Sequence, residues 1–182
     1  MTRFGYVMSA YFASMAMIIT IFVHPAPRLI WNASDSIPRG LYGAVPAVAR
    51  LRQGDLVAVA PPPALAAFLA SRHYLPLGLP LLKPVAALGG QRVCRAGVAI
   101  TIDGRHAGDA LERDSHGRPL PRWHGCRVLA ANEMFVMNRA VPDSFDGRYF
   151  GPLPRSLVRA RLRPLWVHDR RQGAHAAVAG GR

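Results

Sequence analysis

The sequence predicts a mostly β fold behind one N-terminal transmembrane helix, with a single short helix in the part outside the membrane. Three observations predict it. Gly and Pro are frequent, 17 and 16 in 182 residues, and such breakers favour short strands and many turns over a helical bundle. Several apolar runs end in turn signals such as Asp103-Gly104. The first run is different: Gly5 to Val23 is 19 residues without a charge, roughly 28 Å as a helix and close to the thickness of a bilayer's hydrocarbon core.

A cleaved secretory signal is the alternative for that first run. Signals have shorter apolar regions and end at a small-residue cleavage site, whereas this one ends in His24-Pro25-Ala26-Pro27-Arg28, so a retained anchor is expected over residues 1–28. Arg3 on one side and Arg28 and Arg39 on the other leave its orientation open. Beyond it, Ile30 to Tyr42 reads as polar and turn-rich. Gly54 to Val59 reads as a turn entering a buried strand, and Pro61 to Ala70 as a short helix begun by prolines. Leu79 to Leu88 is an apolar run, and Val98 to Ile102 a strand entering a hairpin at Asp103-Gly104.

From His106 to Gly125 the chain is polar and rich in Gly and Pro, which predicts a surface insertion capping one side of the domain. Arg127 to Leu129 and Glu133 to Met137 read as strands. In Val158 to Arg163, apolar residues alternate with Arg159, Arg161 and Arg163, placing the three Arg on one strand face. The main domain is thus expected over residues 29–168, followed by a disordered tail at 169–182.

Of the 23 basic residues, 22 are Arg and one is Lys, Lys83. A solvated lysine is the common kind, but this one lies inside Leu79-Pro80-Leu81-Leu82-Lys83-Pro84-Val85. Burial disfavours the ammonium, and Arg, unlike Lys, cannot lose its proton at a workable pH. The pattern suggests a position that needs a neutral amine. For a nucleophile, no Gly-x-Ser-x-Gly elbow is present and the seven His lie mainly in turns or the tail. The better candidate is Ser36 in Asn32-Ala33-Ser34-Asp35-Ser36-Ile37-Pro38-Arg39-Gly40, just past the anchor, where Pro38 and Gly40 constrain the backbone. Its own N–H and the Ser34 hydroxyl are candidate donors to an oxyanion. Cys94 and Cys126 belong to no CxxC pair, which removes zinc-ribbon and thioredoxin readings; they are two thiols or one disulfide, depending on compartment. No metal or cofactor is expected.

Four segments in order, Ser36 to Tyr42, Gly54 to Val57, Leu82 to Val85 and Asp146 to Gly151, resemble the bacterial type I signal peptidases. Gly40-Leu41-Tyr42, Cys94-Arg95 and Gly125-Cys126-Arg127 place the resemblance nearest the conjugative-transfer, TraF-type branch. It spans about Asn32 to Trp166. It implies a signal-peptidase-like β fold and a Ser-Lys dyad of Ser36 and Lys83, with Ser34 and the Ser36 N–H at the oxyanion and Asp146 and Arg148 in support. It also implies a precursor-protein or pilin substrate, trimmed or cyclised, met by a periplasmic domain anchored in the bacterial inner membrane. In that oxidising compartment Cys94 and Cys126 are expected to pair. One departure is Gly147, where the family usually carries a Ser thought to orient the lysine. A formal charge of +13 supports a competing reading, a membrane-tethered protein holding nucleic acid or anionic lipid through Arg159, Arg161 and Arg163. That reading leaves the single Lys and the ordered motifs unexplained, and no nucleic acid is expected as a partner.

Overall fold

The computed structural model describes residues 2–22, 28–46 and 51–168. In chain order the elements are α1 (Arg3–Phe22), β1 (Leu29–Asn32), β2 (Gly40–Pro46), β3 (Leu56–Val59), α2 (Pro63–Ser71), β4 (Leu81–Leu88) and β5 (Arg92–Ala96). Then come β6 (Ala99–Ile102), β7 (Arg105–Asp109), β8 (Gly125–Val128), β9 (Glu133–Val136), α3 (Gly147–Phe150), β10 (Leu153–Pro154) and β11 (Val158–Val167). The mostly β expectation therefore holds. The expected tail at 169–182 lies outside the described residues.

Helix α1 forms where the uncharged run begins and exposes Phe4, Val7, Phe12, Met17, Ile18 and Ile19. Among the described residues no helix is long and apolar enough to cross a membrane. Gly5, Ser9 and Ser14 dilute the run, and the expected span reached Val23, beyond the described part of the helix.

The strands form two antiparallel sheets, one ordered β1-β2-β11-β3-β4-β9-β10 and the other β7-β6-β5-β8. Strand β3 reads as continuously apolar because it is central, flanked by β11 and β4, with neighbours on both faces. Val57 and Val59 enter a cluster with Leu69, Leu81, Val85 and Val136, while Ala58 enters another with Ile37, Tyr42, Leu82 and Leu162. A third cluster, including Ala87, Val93, Ile100, Phe135 and Met137, carries residues of both sheets. On β11, Ala160 and Leu162 are buried while Arg159 and Arg163 are exposed and Arg161 lies 3.8 Å from Asp55, so the predicted alternation is present. The hairpin turn after β6 uses Asp103 and Gly104, both at positive φ as a two-residue turn of this hand requires.

Two segments differ from expectation. Ile30 to Tyr42 is a loop closed by two strands: β1 and β2 pair from Leu29↔Gly43 to Asn32↔Gly40. The polar excursion is also less of a surface insertion than its composition suggests. Its first residues complete β7, and the strap after it has a core of its own, where buried Ala110 and Leu120 pack with Tyr149 against Tyr74 and Phe145. Burying a Leu in this way contributes about 2 kcal/mol. Asp114 binds the strap to the end of α2, accepting from Tyr74 Oη, from Arg118 Nε at 2.7 Å and from the backbone N–H groups of His116 and Arg118.

Candidate active site

The β1–β2 loop is built around Asn32, which is 4% exposed. Its Nδ2 donates to the carbonyls of Ser34, Ile37 and Pro38 at 2.9, 3.1 and 3.1 Å. Its Oδ1 accepts from Ser34 N at 3.1 Å and Ser34 Oγ at 2.7 Å. Buried Ile37 anchors the loop from below, and the Tyr42 hydroxyl donates to the Pro38 carbonyl at 2.6 Å. Gly40 allows the loop to close against the last strand: a Cβ there would lie 2.1 Å from the Trp166 carbonyl oxygen, and φ is +149°. The N–H of His168 donates to the Arg39 carbonyl at 2.8 Å from the same strand end. On the loop's solvent side, Asp35 and Arg39 form an exposed two-point ion pair, worth under about 1 kcal/mol.

Ser36 is half-buried in this frame, with its Oγ 3.1 Å from Ser34 Oγ. A serine hydroxyl has one proton, and Ser34 gives its proton to Asn32. Ser36 is therefore the donor in the Ser34–Ser36 contact, and Ser34 accepts.

Lys83 is on β4, opposite Val57 of β3, and is 3% exposed. The residues two before and two after it, Leu81 and Val85, belong to the largely aliphatic core cluster. Its Nζ donates to Ser144 Oγ at 2.7 Å. Burial lowers its pKa from 10.5 to about 8; Asp146 and Asp143 push the other way, and Arg148 adds to the lowering. Roughly a tenth of it is thus neutral at pH 7, and the share rises steeply above that. Ser36 and Lys83 line one cleft of about 630 Å³, together with Ser34, Leu82 and Ser144. Among the described residues no hydrogen bond joins Ser36 Oγ to Lys83 Nζ; Ser34 and Ser144 hold the two groups separately.

Ser144 corrects the expectation placed on position 147. No side chain fits at Gly147, since a Cβ there would meet the Val136 carbonyl oxygen at 2.6 Å and the Phe135 ring at 2.7 Å. The hydroxyl on the lysine comes instead from three residues earlier. Asp146 and Arg148 are 0% and 1% exposed, a buried pair with Arg148 Nε on Asp146 Oδ1 and Nη2 on Oδ2, both at 2.9 Å. The remaining donors of Arg148 reach carbonyls of Pro142, Val141 and Ser144, at 2.7, 2.8 and 3.0 Å, so one guanidinium organises the whole loop that carries Ser144. Arg95, 2% exposed, ties α3, which follows that loop, to the second sheet by donating to the Arg148 carbonyl. Cys94 and Cys126 form a disulfide between the facing strands β5 and β8.

Sequence reasoning singled out Ser36, Lys83, Ser34, Asp146 and Arg148, and the fold gathers them around one cleft and the loop beside it. It missed Asn32, Asn138 and Ser144. Asn32 carried a usable signal, an Asn two residues before a Ser, the spacing at which its side chain meets that backbone N–H.

A buried amine beside a serine-bearing loop on a β scaffold is the equipment of a serine peptidase, and the comparisons with known proteins agree. The chain belongs to the signal peptidase family, peptidase S26, whose model matches residues 1–166. It is a serine peptidase of the signal-peptidase type. It is similar to the conjugal transfer protein TraF of Agrobacterium fabrum (strain C58), 36% identical over 149 residues, covering 76% of this chain and 82% of that one. It is also similar to a plasmid transfer protein TraF of Escherichia coli, 32% identical over 145 residues, covering 74% of this chain and 80% of the relative. A crystal structure of a signal peptidase I from Enterococcus faecalis V583 aligns with a TM-score of 0.38 at 18% identity, over 64% of this chain and all of that one.

Proposed function

We propose that the protein is a membrane-anchored endopeptidase of a conjugative transfer system, in which Ser36 attacks the scissile carbonyl of a secreted or pilin-like precursor and Lys83 is the general base. The observation that carries the reading is the chain's single lysine, buried in an apolar strand with its pKa lowered to about 8, lining the same cleft as Ser36. In this reading the Lys83 amine accepts the Ser36 proton as Oγ bonds to the carbonyl carbon. The ammonium then protonates the leaving amine. The acyl-enzyme is resolved when the neutral amine takes a proton from the incoming nucleophile. Substrate binding must bring Oγ to Nζ, as catalytic hydrogen bonds commonly tighten in the bound complex. The Ser34 hydroxyl turns from Asn32 to the oxyanion, beside the Ser36 N–H.

Both TraF relatives are named for conjugal or plasmid transfer, which supports a pilin-like substrate. Water as the nucleophile gives a trimmed linear product; the product's own N-terminal amine gives a cyclic one, lighter by one water. The exposed apolar residues of α1 support an anchor in the inner membrane, and the family's need to meet translocated precursors supports a catalytic domain in the periplasm.

The test is co-expression with the pilin precursor of the same transfer system, followed by intact-mass measurement of the product. Wild type yields a trimmed or cyclic species, and Ser36→Ala and Lys83→Arg yield unprocessed precursor. Processing by Ser36→Ala would overturn the proposal.

A further inference from the structure

Ser36 and Lys83 come from separate elements with no bond between them, so something must fix one relative to the other. We infer that Asn138 is a positioning residue that locks the Ser36 backbone to the Lys83 strand. The inference rests on the Ser36–Lys83 reading above.

Asn138 is 9% exposed and lies two residues past the end of β9. Its Nδ2 donates to the carbonyl oxygen of Ser36 at 2.5 Å, across a sequence separation of 102 residues. Its Oδ1 accepts from the N–H of Ala140 at 3.0 Å, which fixes which end of the amide faces Ser36. Its own N–H donates to Asp146 Oδ2 at 3.0 Å, and its carbonyl accepts from Arg148 Nη2 at 3.4 Å. One residue back, the N–H of Met137 donates to the carbonyl of Pro84, the residue next to Lys83, at 3.0 Å.

Residues 137 and 138 therefore hold the backbone after Lys83, the carboxylate of the loop bearing Ser144, and the carbonyl of Ser36. Fixing that carbonyl fixes the Ser36–Ile37 peptide plane and so holds the Ser36 Cα from which Oγ projects. The bonds of Asn32 order the loop internally; the Asn138 bond orients it toward the lysine. A nucleophile displaced by about 1 Å reacts up to roughly 100-fold more slowly.

The test uses the full chain in detergent micelles and an activated alanyl ester as acyl donor. The rate of Ser36 acylation per folded molecule is followed by mass spectrometry across pH. Asn138→Ala should slow acylation roughly 10- to 100-fold with the pH midpoint unchanged, because position and not basicity has been altered. Asn138→Asp keeps the acceptor for Ala140 N–H and nearly the same shape, so it serves if the alanine variant does not fold. It should slow acylation similarly and also move the midpoint upward, since a new carboxylate joins Asp146 and Asp143 in stabilising the Lys83 ammonium against Arg148. A merely structural role would reduce the folded fraction and leave both readouts as in wild type. Wild-type acylation rates per folded molecule in both variants overturn the inference. Wild-type rates in Lys83→Arg, run in parallel, would instead sink the dyad reading beneath it.

Discussion

Lys83 Nζ donates to Ser144 Oγ at 2.7 Å inside a pocket that leaves the lysine 3% exposed. The pair joins a central strand to a loop 61 residues later and holds the amine against the apolar surroundings that discourage its charge.

Activity should follow the neutral form of that amine. With the pKa near 8, the rate rises with pH through that value and levels off above it, whereas a lysine at 10.5 would still be gaining at pH 10. Lys83→Arg preserves charge and most of the length but has no accessible neutral form, so it should be as inactive as Lys83→Ala. Near wild-type precursor cleavage by folded Lys83→Arg would refute the base assignment.

Ser144→Ala removes the acceptor on the ammonium. A hydrogen bond to a charged group is worth about 1.5–3 kcal/mol, so its loss favours the neutral amine and moves the midpoint of the pH–rate curve down by about one to two units. The plateau rate should also fall, by roughly tenfold or more, because the amine is no longer aimed. A pH–rate profile of the purified variant reads both effects at once. An unshifted midpoint with a full plateau would show that the contact is incidental.

Asp146→Asn should act on stability and on the lysine together. Arg148 is left buried without its counter-charge, a change that typically costs about 3–5 kcal/mol, readable by denaturant unfolding. Loss of the carboxylate that supports the Lys83 ammonium moves the pH midpoint down in whatever protein remains folded. Turnover should drop while Ser36 remains present and open to acylation. An exposed ion pair would behave otherwise, with unfolding unchanged within about 1 kcal/mol.

The disulfide should matter for stability and little for chemistry. Cys94 and Cys126 are 32 residues apart and pair β5 with β8, in the sheet that does not carry Lys83. Closing such a loop stabilises by on the order of 3–4 kcal/mol in the chain-entropy model. Dithiothreitol, or replacement of both cysteines by Ser, should lower the unfolding midpoint yet leave the acylation rate at 25 °C within about threefold. A collapse of activity before any unfolding would place the bridge in the catalytic frame.

Lys83 was legible in the sequence because composition isolates it: a chain that uses Arg at 22 other positions has one Lys, and it lies in an apolar run. The β3, β6, β9 and β11 strands were legible for a similar reason, their apolar residues having the strand period or strand length, while β4 showed only as an apolar run. Strands β1 and β2 were not, because they border a polar loop and the Asn32↔Gly40 pair that closes it looks like two turn formers. Ser144 was hidden in Val141-Pro142-Asp143-Ser144, which reads as a surface turn; only antiparallel pairing of β4 with β9 brings it to Lys83. Asn138 was hidden likewise, since its partner is 102 residues away. The strap misled through composition. Its Arg and Asp residues satisfy one another at Asp114, which frees Ala110 and Leu120 to be buried.

The contact of Gly40 with the Trp166 carbonyl, and of His168 with Arg39, has a bearing on how the molecule can be cut and labelled. The end of β11 is a neighbour of the serine loop, so shortening the chain to just before Trp166 would remove a brace of that loop and not an appendage. A fusion partner joined directly after His168 would press on the same loop. A spectroscopic label attached at position 168 would sit against the Arg39 end of that loop.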